Sequence, residues 1–237
     1  MTERIRANDK SKSSRRYRHM ARLESLDLPV SHGRLEALLR LPDADVPPPM
    51  AAVVCHPHPL YGGTMHNKVV FRVAQALGEA GMPVLRFNFR GVGRSTGTYA
   101  EGRGEADDVR AALDWLARRF PDVPLCLAGF SFGSAVGLPV GCADGRVRQI
   151  IGVGVPVRLM DVDALRECTK PKLIVQGELD EYGPREPLEH WFERLPDPKS
   201  LEIVPGSDHF FTAHQQQLSD AVSRYLRSGA SALDTRP

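Results

Sequence analysis

The chain has 237 residues, of which 42% are apolar and 25% charged, with a formal net charge of +2. These are values of an ordinary globular protein with one sizeable core. They exclude a low-complexity chain, and no apolar run approaches the roughly 20 residues a membrane helix requires.

The charge is unevenly placed. Residues 1–20 hold seven Lys/Arg against two acids, a net of +5, while the rest hold 24 basic against 27 acidic residues, a net of −3. The basic stretch has almost no apolar residues to offset its ordering entropy, which predicts a disordered tail over 1–19. Contact of that tail with nucleic acid is a minor alternative, and no nucleic-acid partner is expected of the domain. Met20 opens "MARLESLDLPV" and is a plausible alternative start. The polar N-terminus lacks the apolar segment of a secretory signal. Cys55, Cys126, Cys142 and Cys168 include no C-x-x-C pair. The expectation is four free thiols in a reducing, cytoplasmic setting.

From residue 22 the pattern becomes regular. "RLESLDLPV" and "GRLEALLRLP" read as two antiparallel strands about a turn at Ser31, His32 and Gly33. "DADVPPP" is a connector, and "MAAVVCHPHP" an apolar strand of the kind buried on both faces of a parallel sheet. Residues 66–80 have apolar residues at helical spacing. Strands then alternate with helices: "MPVLRFNFR", helix 104–120, "VPLCLAGF", helix 132–143, "VRQIIGVGVPV", a short helix at "VDALREC", "PKLIVQGELD", helix 185–195, "KSLEIVPGSD" and a last helix over 210–227. This order predicts one α/β domain over 20–228, with a mostly parallel sheet, an antiparallel N-terminal edge and a frayed end at 229–237. Ligands of such sheets bind at the carboxyl ends of the strands.

Ser131 lies at such an end, in Gly129–Phe130–Ser131–Phe132–Gly133, between an apolar strand and a helix. A serine in so tight a turn crowds the positions two residues away, where glycine has no Cβ to clash. The following helix brings unpaired N–H groups to the place where an oxyanion would form. A serine nucleophile needs a base. Among eight histidines, His209 follows the strand "LEIVPG" at the same sheet edge. An acid must orient that imidazole. Asp180 closes "KLIVQGELD" in a Gly-x-x-Asp loop and is preferred over its rivals Glu178, Glu181 and Asp208.

The order Ser, Asp, His is that of the α/β-hydrolases. The blocks "CHPHPLYGGTMHNKVV", "LRFNFRGVGRSTGTYAEGRGEADD", "AGFSFGS", "QGELDEYGP" and "PGSDHFF" make the chain from about Met20 to Leu226 resemble that superfamily, and most of all a compact bacterial branch of lidless serine hydrolases. The resemblance implies an α/β-hydrolase fold with helices on both faces of the sheet. It also implies a Ser131–Asp180–His209 triad that cleaves a carboxylic ester, with no cofactor. Pro57 stands where the commoner pattern has glycine, so the second oxyanion donor is expected to be the N–H of His58, beside that of Phe132.

A metal site on His56, His58 and His66 is disfavoured, because no carboxylate or thiolate falls at ligand spacing. The glycines at 91, 93 and 97 do not form a dinucleotide fingerprint. Only about 16 residues separate Val155 from Lys172, too few for a large cap. The expected partner is a small-molecule ester with an accessible acyl group. A thioesterase or peptidase on the same triad, or a silent binding protein of this fold, stays open, as does the oligomeric state.

Overall fold

The computed structural model describes residues 22–42 and 46–228. The expectations for the basic tail, for Met20 and for 229–237 lie outside the described residues. Among these residues eight strands form one sheet: β1 (Arg22–Val30), β2 (Gly33–Leu41), β3 (Ala51–Cys55), β4 (Val84–Phe87), β5 (Leu125–Phe130), β6 (Val147–Val153), β7 (Lys172–Gly177) and β8 (Lys199–Val204). Their order is β1-β2-β4-β3-β5-β6-β7-β8. β2 is antiparallel to both of its neighbours, and every other pairing is parallel. This is the mostly parallel sheet with an antiparallel N-terminal edge that the alternation of elements predicts.

Among the described residues five helices cover the two faces: α1 (Lys68–Glu79), α2 (Arg103–Arg119), α3 (Phe132–Ala143), α4 (Arg185–Glu193) and α5 (Gln215–Arg227). Side chains of a strand alternate between faces, so β3 splits its residues. Ala51, Val53 and Cys55 join a core with α2, α3 and α4. Ala52 and Val54 join a second core with α1 and α5. The central strands are buried on both faces, which is why they read as unbroken apolar runs.

The strands are shorter than their apolar runs at the carboxyl end. β3 stops at Cys55 although "CHPHP" continues it, because two prolines bring no N–H to a ladder. β7 stops at Gly177, three residues before Asp180. The last helix begins at Gln215 rather than at 210, because Asp208 holds the N–H and hydroxyl of Thr212 in a turn. These shortened ends leave loops on one edge of the sheet. Between β6 and β7, residues 154–171 hold one short 3-10 turn (Asp163–Glu167) and no inserted cap domain among the described residues.

The cysteine expectation fails in part. Cys55 and Cys126 are buried free thiols, but Cys142 and Cys168 form a disulfide. Their separation of 26 residues hid the pair. The end of α3 and the end of the β6–β7 segment meet only once the chain is folded. The cysteine argument for a reducing compartment falls with it. No helix among the described residues is long and apolar enough to cross a membrane.

Candidate active site

The turn after β5 carries Ser131 at φ 55° and ψ −121°, a region that costs a non-glycine residue about 1–3 kcal/mol. The surrounding chain holds it there. The Ser131 N–H donates to Val153 O of β6 at 2.9 Å, and its carbonyl accepts the Ser134 hydroxyl at 2.6 Å. The flanking glycines are required by close approach. A Cβ on Gly129 would lie 2.3 Å from Gly133 O, and one on Gly133 would lie 2.5 Å from His56 O and 2.6 Å from Cys55 O. The first turn of α3 is therefore pressed against the end of β3. That contact sets Phe132 beside His58, with ring centroids 4.8 Å apart.

The three residues singled out in the sequence converge. His209 Nδ1 lies 2.7 Å from Asp180 Oδ2, and its Nε2 lies 3.0 Å from Ser131 Oγ. The carboxylate accepts from the ring at Nδ1–H, which leaves Nε2 to accept the serine hydroxyl. Asp180 and His209 are buried, and His209 is packed among Phe130, Tyr182 and Phe210 at centroid distances of 5.0, 4.6 and 5.0 Å. Two of the rival acids are engaged elsewhere. Glu178 accepts from the Gly206 N–H, and Asp208 holds Thr212.

Asp180 has further partners that sequence reasoning missed. Its Oδ1 accepts the N–H groups of Tyr182 and Gly183 at 2.9 and 3.1 Å. Its Oδ2 also accepts from Gln176 Nε2 at 2.8 Å. Gln176 is a buried amide whose Oε1 accepts the Val155 N–H and whose Nε2 also donates to Gly183 O at 3.1 Å. Its one sequence signal is a polar residue near the end of the apolar strand "KLIVQG".

The loop between β3 and α1 is held by two histidines. His56 is buried, and burial pushes its pKa down to about 4. Its Nε2 accepts the Phe89 N–H at 3.0 Å, so the neutral ring carries its proton on Nδ1 and donates to Pro57 O at 2.6 Å. A trans peptide sets its N–H opposite its C=O. Clamping Pro57 O therefore fixes the direction of the His58 N–H. Prolines at 57 and 59 bracket this single donor. Phe132 is the first residue of α3, so its N–H has no acceptor within the helix.

Among the described residues, no group of three His, Cys, Asp or Glu side chains could hold a metal ion. His56 has both ring nitrogens engaged, as does His58, whose Nδ1 accepts from Leu60 N and whose Nε2 lies 3.2 Å from Tyr99 Oη.

Ser131 and His209 open into a cavity of about 600 Å³, lined also by residues of the β3–α1 loop, by Tyr99 and by Leu159 and Met160 of the β6–β7 segment. A family profile described as an alpha/beta hydrolase domain matches residues 52–232. The chain belongs to the alpha/beta hydrolase family. It is 37% identical to an alpha-beta serine hydrolase homologue from Coxiella burnetii, with 86% of this chain and 97% of that chain covered and a TM-score of 0.81. An α/β serine hydrolase without a lid from Xanthomonas campestris is likewise 37% identical, over 86% of this chain and 94% of that one, with a TM-score of 0.80. An uncharacterised protein of Rickettsia prowazekii is 36% identical over 82% of this chain and 84% of its own length. The fold and the family are thus those that the five sequence blocks imply.

Proposed function

We propose that this alpha/beta hydrolase is a serine esterase acting on small, accessible carboxylic esters. The observation that carries the reading is His209, which bridges Asp180 at 2.7 Å and Ser131 at 3.0 Å at the end of a strained strand-to-helix turn. Ser131 Oγ attacks the ester carbonyl as its proton passes to His209 Nε2, and Asp180 stabilises the resulting imidazolium. The N–H groups of Phe132 and His58 receive the oxyanion. His209 then protonates the leaving alcohol, and water, activated by the same imidazole, releases the acid and restores Ser131. The cycle needs no cofactor. The short β6–β7 segment favours substrates that need no deep enclosure.

The test is hydrolysis of p-nitrophenyl acetate, butyrate and octanoate by the protein and by Ser131→Ala. The expected loss in kcat is about 10⁶-fold, the scale of removing a serine nucleophile from a triad. Equal rates in both proteins would end the reading. Labelling by a fluorophosphonate at Ser131 without turnover of any ester would redirect it to another acyl bond. Failure to label would leave a binding protein of this fold.

A further inference from the structure

The lining of the cavity beside Ser131 is of two kinds. One is a wall of packed rings: His58 lies 4.6 Å from Tyr61, 5.1 Å from Tyr99 and 4.8 Å from Phe132, centroid to centroid. The other includes Leu159, Met160 and Phe210, whose side chains offer no hydrogen-bond donor. Tyr61 is 85% exposed, so its ring rests on His58 and leaves most of its surface bare.

The hydrogen atoms on the ring wall can be assigned. The Leu60 N–H donates to His58 Nδ1 at 3.2 Å. The Nδ1 atom therefore bears a lone pair, and burial lowers the pKa of the ring, which keeps it neutral. Its proton sits on Nε2 and is donated to Tyr99 Oη, 3.2 Å away. Tyr99 Oη is thus an acceptor toward His58, and its own hydrogen is left over. Burial and the nearby carboxylates of Glu105 and Glu101 push the phenol pKa up, so that hydrogen stays in place. Among the described residues Tyr99 Oη has no hydrogen bond besides the one to His58, and the Glu105 oxygens are met instead by Ala100 N and Gly102 N. Tyr99 lines the cavity, so its spare donor is available to whatever occupies the ring wall.

A donor fixed in this way discriminates, because a bound group without an acceptor leaves it unpaired. A flat π-surface next to it favours an aromatic ring. An aliphatic chain does better against Leu159, Met160 and Phe210. We propose that Tyr99 is a specificity-determining hydrogen-bond donor, and that the preferred substrates are esters bearing an oxygen-substituted aryl group, with the ring against Tyr61 and His58 and the oxygen on the Tyr99 hydroxyl. The substrate class rests on the serine esterase reading; the recognition itself does not.

Binding separates the two. In the Ser131→Ala protein, the affinities of methyl cinnamate and of its 3- and 4-methoxy derivatives are measured by isothermal titration calorimetry. The better methoxy isomer should bind about 3–10-fold more tightly than the unsubstituted ester, the range of one net hydrogen bond. Adding Tyr99→Phe, which removes only the hydroxyl, should bring the ratio to within about twofold of unity. Equal affinities with Tyr99 present, no measurable binding of any of the three, or a preference that survives Tyr99→Phe would overturn the inference. A second measurement needs no Tyr99 variant: the kcat/KM ratio for the same esters in the unaltered protein should follow the binding ratio, and a ratio of one would also overturn it. Selective binding without turnover of any ester would defeat the esterase reading and leave the recognition standing. Ser131-dependent hydrolysis of p-nitrophenyl acetate without aryl selectivity would do the reverse.

Discussion

Two loops meet at the candidate site, and they are held by opposite means. The turn after β5 has hydrogen bonds at Ser131 but depends on what is missing: Gly129 and Gly133 lack the Cβ that would strike backbone at 2.3 and 2.5 Å. The loop after β3 is held by bonds that are present. His56 clamps Pro57 O and the Phe89 N–H, His58 receives the Leu60 N–H, and the Met65 N–H donates to Asn88 Oδ1 at 2.8 Å. A turn held by sterics does not respond to pH, whereas a loop held by a neutral imidazole does. The first should fail abruptly when an atom is added, and the second gradually when a proton is.

The sharpest way to break this contrast is Gly133→Ala. The added methyl would force the first turn of α3 away from the end of β3 and part the N–H groups of Phe132 and His58. The expected result is a fall in kcat/KM of about 100-fold or more, with a stability loss of about 1–3 kcal/mol in urea unfolding. Wild-type kinetics in this variant would show that the contact does not set the site.

Next in size is His56→Leu, which leaves Pro57 O and the Phe89 N–H without their partner. We expect kcat to fall about 10–100-fold, short of the full loss of an oxyanion donor, because the His58 N–H remains but is less well aimed. The same histidine makes the pH prediction. Its pKa is lowered from 6.5 to about 4 in the folded chain. The unfolded state thus binds the proton more readily, and the contribution of His56 is intact above about pH 6.5 and lost as pH falls through about 4. Between pH 7.5 and 5 the folded protein should lose about 2 kcal/mol from this group. The pH slope of denaturant unfolding should flatten by that amount in His56→Leu, and an unchanged slope would remove His56 as the cause.

The smallest effect belongs to Gln176→Leu. It removes one of the donors on Asp180 Oδ2 and leaves the Val155 N–H unpaired, while Tyr182 N, Gly183 N and His209 still hold the carboxylate. About a tenfold fall in kcat is expected. A loss as large as that of Gly133→Ala would mean that the acid, and not the turn, is the weakly supported part.

The same contrast decides how much could be read from the sequence. Ser131 was legible because the turn's steric demand is local, and glycine is the residue that meets it. Asp180 and His209 were legible because each follows a strand of the same parallel sheet, whose carboxyl ends share one edge. The β3–α1 loop was only half legible. Pro57 pointed to the His58 N–H as the expected donor, which remains a proposal, and the protonation pattern of His56 and His58 depends on Phe89 and Leu60 groups, one of them more than 30 positions away. Tyr99 lay unmarked in a glycine-rich stretch, since only the tertiary fold brings it to His58. Gln176 is one polar residue in an apolar strand, where nothing local says that it holds Asp180, and the Cys142–Cys168 bond could not be read at all.

The prolines on either side of His58 have one more consequence. Neither can donate, so across 57–59 the chain offers one backbone N–H and no substitute for it. The site has no redundancy there, yet the proposed donor is a main-chain atom that any non-proline residue at 58 would keep. The imidazole that assigns the Tyr99 hydrogen is a side chain of the same residue. A substitution at this one position would thus alter the proposed selectivity through its side chain while the main-chain N–H stays present, so the proposed selectivity and the proposed donor can vary apart.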